Sequence, residues 1–248
     1  MHMTGNTIFI TGGGSGIGRG LAEAFFRLGN VVIIGGRRQD TLDEVTAANP
    51  GLHSVMLDVN DPELIRTVVA GLTRDFPALN VLVNNAGIMK SESVHALPEM
   101  LEVAEETIVT NLLGPIRLTN ALLPHLQAQE RAAVLNVTSG LAFVPRADTP
   151  TYSATKAALH SYSEGLRRLL RGSGVQVTEL IPPLTATDLT PGQADNPRAL
   201  PLADYLAETM KLLEANPDAP EIVIERVKFQ RHAERESRYD EAFGTINP

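Results

Sequence analysis

No stretch of this chain narrows the possible folds as much as a junction near its amino terminus. The short β-branched run Thr7-Ile8-Phe9-Ile10 passes into Thr11-Gly12-Gly13-Gly14-Ser15-Gly16-Ile17-Gly18, after which Ile17, Leu21, Ala24, Phe25 and Leu28 recur at helical spacing. A strand, a glycine turn and a helix in that order begin a crossover unit, and the same alternation then repeats. Strands are predicted at Val31–Ile34, Ser54–Leu57, Val81–Val83, Ala133–Val137 and Val175–Ile181, and helices at Thr41–Ala48, Pro62–Thr73, Met100–Gln127 and Pro150–Arg171. A strand that is apolar throughout must be covered on both faces, which a parallel sheet between two helix layers provides. The fold class is therefore α/β: a single-domain doubly wound parallel sheet (Rossmann-like) with helices on both faces, spanning residues 1–248.

Composition agrees, since 43% apolar and 20% charged residues suit a globular core, and no linker, repeat or low-complexity tract divides the chain. The rhythm breaks only at Pro182–Pro201, a polar, proline-bearing stretch of the kind that is usually functional or mobile. Near the end, Ala203–Leu213 is predicted helical and Ile222–Phe229 is read as an edge or last strand.

The glycine turn carries the first chemistry. Glycines allow a tight turn and close approach of a pyrophosphate, and the helix that follows offers free N–H groups and the positive end of its dipole. A dinucleotide is the expected ligand. The net charge of −8 argues against bulk attraction to nucleic acid or an anionic membrane. There is no cysteine, and the six histidines show no ligand spacing, so no metal site is expected. No leader pattern and no apolar run of about 20 residues is present, and a cytoplasmic location is the expectation.

Further along, Asn84-Asn85-Ala86-Gly87 follows a strand, Asn111 falls in the next long helix, Ser139 ends a strand, and Tyr152 and Lys156 stand one helical turn apart. Only four tyrosines and four lysines occur in the chain, which makes a chance pairing of this kind uncommon. Together with the GxxxGxG spacing of Gly12, Gly16 and Gly18 behind Thr11, these motifs resemble the short-chain dehydrogenase/reductase family from about residue 6 to residue 187. The resemblance implies an oxidoreductase that moves hydride between a nicotinamide and a small carbonyl or alcohol. It makes Tyr152 the general acid/base, Lys156 the group that lowers the phenol's pKa and holds a ribose, Ser139 the hydrogen-bond partner of the substrate oxygen, and Asn111 the holder of a relay water.

Elementary electrostatics bounds that role. A free phenol titrates near pH 10, and an ammonium at about 4.5 Å contributes roughly 1 kcal/mol in water and roughly 4 kcal/mol at an effective dielectric of 20. A shift of about 3 units therefore needs a partly dry site or a second positive charge. Thr149 is expected to cap the helix that carries the pair, with Pro150 in its first turn.

For cofactor choice, the end of the second strand reads Ile34-Gly35-Gly36-Arg37-Arg38. No acid stands there to bind a ribose 2′-hydroxyl, and Arg37 with Arg38 suits a 2′-phosphate, so NADP(H) is expected although Ser15 replaces the basic residue many NADP-dependent relatives carry in the glycine turn. The resemblance adds Thr11, Gly12, Gly14, Ser15, Gly16, Ile17 and Gly18 around the phosphates and Asp58 and Val59 at adenine. It also places Asn84, Ala86 and Gly87 along the cofactor, and Pro182, Thr185 and Thr187 near the nicotinamide. Pro182-Pro183 replaces the family's usual Pro-Gly, so the backbone there must differ.

The substrate wall is expected from Ser139, Leu141, Phe143, Val144, Arg146 and Tyr152, from Ile88 and Met89, and from the 188–201 loop; Arg146 could meet a carboxylate or stay exposed. The phrases Glu179-Leu180-Ile181-Pro182-Pro183 and Glu225-Arg226-Val227-Lys228-Phe229 look like the DltE-like bacterial branch. The resemblance further implies a homodimer or homotetramer. A non-catalytic NADP(H)-binding redox sensor is the alternative, against which the intact Asn111, Ser139, Tyr152 and Lys156 set speaks.

Overall fold

Along the first strand, β1 (Thr7–Thr11), side chains alternate between two separate cores: Ile8 and Ile10 join one and Phe9 the other. The same division runs through β2 (Val31–Gly36), where Val32 and Ile34 part from Ile33, and through β5 (Ala132–Val137), where Val134 parts from Leu135. A sheet with an apolar core on each face needs helices on each face. The computed structural model describes residues 1–248, the side chain of Pro98 excepted.

On one side lie α1 (Gly16–Arg27), α2 (Gln39–Ala48) and α7 (Leu202–Ala215), contributing Leu21, Phe25, Leu42, Val45 and Leu213. On the other lie α3 (Pro62–Asp75), α5 (Gly114–Gln127) and α6 (Pro150–Leu169), contributing Val68, Leu72, Leu118, Leu122 and Leu166. With β3 (His53–Met56), β4 (Leu79–Asn84), β6 (Val175–Ile181) and β7 (Glu221–Val223), the seven strands run parallel in the order β3-β2-β1-β4-β5-β6-β7. The order reverses direction between β1 and β4. There the loops leaving neighbouring strands diverge, opening a crevice at the carboxyl ends where ligands bind in sheets of this kind.

Two expected elements come out differently. The single helix expected at Met100–Gln127 is α4 (Leu97–Ile108), a widened π turn at Val109–Leu113, and then α5. Pro115 explains the break: it has no N–H to give and its ring crowds the carbonyl four residues earlier, that of Asn111. Asn111 thus sits in the widened turn, fully buried.

The strand expected at Ile222–Phe229 stops at Val223. A 3-10 turn at Glu225–Val227 leads into the short helix α8 (Lys228–Arg231), and α9 (Tyr239–Ile246) follows. Ile224 and Val227 bury at helical spacing, and the Arg231 guanidinium turns back to hold Glu221 through two bonds of 2.7 and 2.8 Å, which an extended chain could not do. The 182–201 stretch is also less open than its composition suggests. Leu200 pairs with Thr185 as a parallel bridge, and the Gln193 amide donates to the Thr185 carbonyl at 2.8 Å.

Candidate active site

Positive φ angles at Gly12 (+65°) and Gly16 (+53°) let β1 turn sharply into α1. A β-carbon on Gly18 would lie 2.3 Å from the Gly12 carbonyl oxygen, so Gly18, expected among the cofactor contacts, instead serves to pack the helix against the turn. Thr11 ties this turn to the next motif. Its hydroxyl accepts from the backbone N–H groups of Asn85 and Ala86, both at 3.0 Å.

Asn84 lies elsewhere than expected. Its side chain points beneath the sheet, donating to Asn136 at 2.8 Å and Thr119 at 3.0 Å, and it does not line the crevice. Asn85, which the sequence reading passed over, lines it, and its amide holds the Thr11 and Gly12 carbonyls. Strand alternation carries the signal, for one of two adjacent asparagines after a strand must face inward.

The crevice has two parts. A recess of about 220 Å³ is lined by Thr11, Gly12, Gly14, Ser15, Arg37, Arg38, Asp58 and Val59. It continues into a cleft of about 620 Å³ that shares Gly12, Ser15, Arg37, Arg38, Ala86, Gly87 and Ile88 and adds Gly16, Ile17, Ser139, Tyr152, Lys156, Pro182, Thr185 and Thr187. The Thr187 hydroxyl accepts from Gln193 at 3.2 Å, fixing that wall.

Ser139, two residues past the end of β5 and capping the 3-10 turn Gly140–Ala142, accepts from the Leu141 N–H at 3.1 Å. Tyr152 and Lys156 are both buried, and the Lys156 ammonium lies 5.5 Å from the Tyr152 ring centre while donating to the Val137 carbonyl at 2.8 Å. Burial pushes the Tyr152 phenol up to about 12, with the Ser139 hydroxyl pulling the other way, and brings the Lys156 ammonium down to about 8. The lowered phenol that the resemblance implies is therefore not a property of these residues alone, because desolvation outweighs the opposing hydrogen bond with Ser139.

Linkage turns the lysine's shift into a stability effect. Below about pH 8 both folded and unfolded chains hold the proton, and the folded chain bears the full cost of a buried charge, on the order of 3 kcal/mol. Between about 8 and the ordinary lysine value of 10.5 only the unfolded chain holds it, so stability rises with pH. Lys156→Met is expected to lack that rise, read as a smaller gain in denaturation midpoint between pH 7 and about 9.5 than the native chain shows. Equal gains would contradict the buried charge.

Asn111 uses both ends of its amide on one neighbour, accepting from the Ile88 N–H at 2.9 Å and donating to the Ile88 carbonyl at 2.8 Å. This clamps the turn that carries Ile88 and Met89 into the cleft, and the amide nitrogen also reaches the Thr155 hydroxyl at 3.4 Å.

Thr149 stands at the N-cap of α6 but makes no capping bond, and its hydroxyl is buried without a partner. The cap comes from Glu92, whose carboxylate accepts from the Thr151 N–H at 2.8 Å and the Thr151 hydroxyl at 2.7 Å while its own N–H reaches the Asp148 carbonyl. A carboxylate with two oxygens at the positive end of the dipole outcompetes a hydroxyl. Glu92→Ala is expected to cost about 1 kcal/mol in chemical denaturation, with Glu92→Gln costing less.

The expected substrate wall divides. Leu141, Arg146, Met89, Ser139 and Tyr152 line a cavity of about 720 Å³ beside the cleft. Phe143 and Val144 do not. Phe143 packs 4.8 Å from the His160 ring and 4.5 Å from the Arg231 guanidinium, and Val144 is buried with Ala233 and Ala242. The chain turns at Gly140–Ala142, which swings the next two side chains under the tail instead of into the cavity.

Among the described residues, His160, Glu179 and Glu221 bring ligand-type atoms within 4.8 Å of one another. Arg167 and Arg231 already hold the two carboxylates, and His160 pairs with Glu179 at 2.9 Å, so the cluster is closed by cations of its own. Another cavity, of about 540 Å³, opens among Arg131, Arg167, Gly174 and Gln176 at the amino ends of the strands and shares no lining residue with the crevice. No helix among the described residues is long and apolar enough to cross a membrane.

Three properties of the crevice fit a phosphorylated dinucleotide: a turn with glycines at positive φ, a buried ammonium whose one hydrogen bond goes to a carbonyl, and two arginines that pair with no carboxylate among the described residues.

Comparison with known proteins agrees. The family model described as short chain dehydrogenase matches residues 6–198. An uncharacterized oxidoreductase, DltE, of Bacillus subtilis is 40% identical over 251 residues, covering 100% of this chain and 98% of its own. A short-chain dehydrogenase from Streptomyces avermitilis superposes with a TM-score of 0.83 at 28% identity, covering 96% of this chain and 95% of that one. A serine dehydrogenase complexed with NADP+ does so with a TM-score of 0.79 at 28% identity, covering 88% of this chain and 94% of that one.

Proposed function

The chain belongs to the short-chain dehydrogenase family, and from that premise we propose that this oxidoreductase transfers hydride between NADP(H) and a small carbonyl or alcohol, with Tyr152 as general acid/base. The observation that carries the reading is that Ser139, Tyr152 and Lys156 share one cleft with Gly12, Gly16, Arg37 and Arg38. The serine dehydrogenase relative was found with NADP+, which supports the same cofactor here.

NADP(H), when bound, supplies the hydride. The residues of the chain do the rest. Arg37 and Arg38 hold the 2′-phosphate, and the N–H groups at the start of α1 face the pyrophosphate. Lys156 gives its remaining N–H donors to ribose hydroxyls. The Ser139 hydroxyl donates to the substrate carbonyl oxygen. With its value raised to about 12, Tyr152 keeps its proton at neutral pH and can deliver it to that oxygen as the alkoxide develops. Burial of the cleft strengthens each of these bonds. In the reverse direction the same phenol must first lose its proton against desolvation.

Exposed Val94, Leu97, Leu101 and Ile108 on and before α4 form an apolar stripe that supports association of copies as a homodimer or homotetramer. A panel of aldehydes and ketones, followed by the absorbance of NADPH and NADH, tests the reaction. Turnover with NADPH supports it, and a chain that binds neither nicotinamide overturns it.

A further inference from the structure

The cavity beside the cleft is joined to it through Ser139 and Tyr152, which line both, so a carbonyl held at Tyr152 extends the rest of its molecule into this space. The charge on its wall is unbalanced in the direction opposite to the chain as a whole. Three arginines, Arg146, Arg198 and Arg226, line it, against Asp148 as the one acidic side chain. Asp148 is already engaged by Arg146 at 2.6 Å. Arg198 and Arg226 pair with no carboxylate side chain among the described residues. They are nevertheless held to one rim, since the Arg226 guanidinium donates to the Arg198 backbone carbonyl at 2.5 Å, tying the 3-10 turn after β7 to the loop before α7.

Two guanidiniums on one wall of a cavity, in a chain with net charge −8, repel each other and gain by meeting an anion. Resting on the reading above, we propose that this cavity selects carbonyl substrates with an anionic terminus, a carboxylate or a sulfonate, held by Arg198 and Arg226 while the carbonyl faces Tyr152. Arg146, spent on Asp148, contributes less.

The assignment is tested with ω-oxo acids of graded length and their methyl esters, NADPH being the reductant, on the native chain, Arg198→Ala, Arg226→Ala and the double variant. The native chain is expected to prefer acid over ester by about tenfold or more in kcat/KM, and the double variant to lose that preference through KM while kcat stays within about twofold. Both arginines are exposed, so the variants should fold, and a melting curve verifies it. A second arm needs no turnover. Calorimetric titration of the NADP+-loaded protein with a saturated carboxylate and with its amide should show the carboxylate binding more tightly, more weakly with added salt, and no better than the amide in the double variant. Equal native kinetics for acid and ester, or variants that weaken both alike, would overturn the assignment. If nothing is reduced with either nicotinamide, the hydride reaction is what fails, and the calorimetry alone decides for or against the anion site.

Discussion

Tyr152→Phe is expected to lower kcat for carbonyl reduction by about 10²- to 10⁴-fold while leaving NADPH affinity near native, because it removes one hydroxyl that sits at the junction of the cleft and the substrate cavity. The ring that packs beside Lys156 stays, so the wall is kept and only the transferable proton is lost. The pH dependence separates this role from a merely structural one. With the phenol raised to about 12, reduction by the native chain should be level below about pH 8 and decline above it as the Lys156 ammonium, lowered to about 8, gives up the charge that steadies the forming phenolate. Oxidation of the corresponding alcohol should climb with pH, since it needs the phenolate. Single-turnover rates and nicotinamide fluorescence measure the two effects separately. Native-like turnover by Tyr152→Phe would remove the proton donor from the scheme.

The second large effect concerns cofactor choice. Replacing both Arg37 and Arg38 by alanine is expected to weaken NADPH by roughly ten- to a hundredfold and to leave NADH nearly unchanged, because charge-assisted bonds of about 1.5–3 kcal/mol to the 2′-phosphate disappear. These two side chains line both the recess and the cleft, and Gly36 before them leaves no acid to take their place for a 2′-hydroxyl. The comparison is made from kcat/KM for the two nicotinamides at fixed salt, since added ions mask exposed guanidiniums. A native chain that uses NADH better than NADPH would reject the argument outright.

What could be read from the sequence follows physical range. Period and apolar content gave the alternation of strands and helices and the parallel sheet, because each strand's burial is written in its own residues. Spacing within one turn or one helix gave the glycine loop and the Tyr152–Lys156 pair for the same reason. Contacts made across the fold were not legible. Glu92 caps a helix nearly sixty residues away, a partnership that no local pattern announces. Which of Asn84 and Asn85 faces the crevice depends on where β4 ends, and Phe143 and Val144 leave the substrate wall because of a short 3-10 turn that composition does not mark. Pro115 was visible, yet its effect falls four residues upstream, on the turn that seats Asn111. The tail from Ile222 to Phe229 reads as a strand because most of its apolar residues are β-branched; beyond Val223 it instead turns so that Arg231 meets Glu221.

The wall of the 720 Å³ cavity is drawn from two sources. Ser139, Leu141 and Tyr152 belong to the portion matched by the family, which ends at residue 198, whereas Arg226, Phe229, Gln230 and Asn247 come from the segment beyond it. A lineage could therefore retune which molecules it accepts by rewriting that later segment, with the hydride chemistry left untouched. Descendants of one ancestor would then share a reaction while diverging in diet.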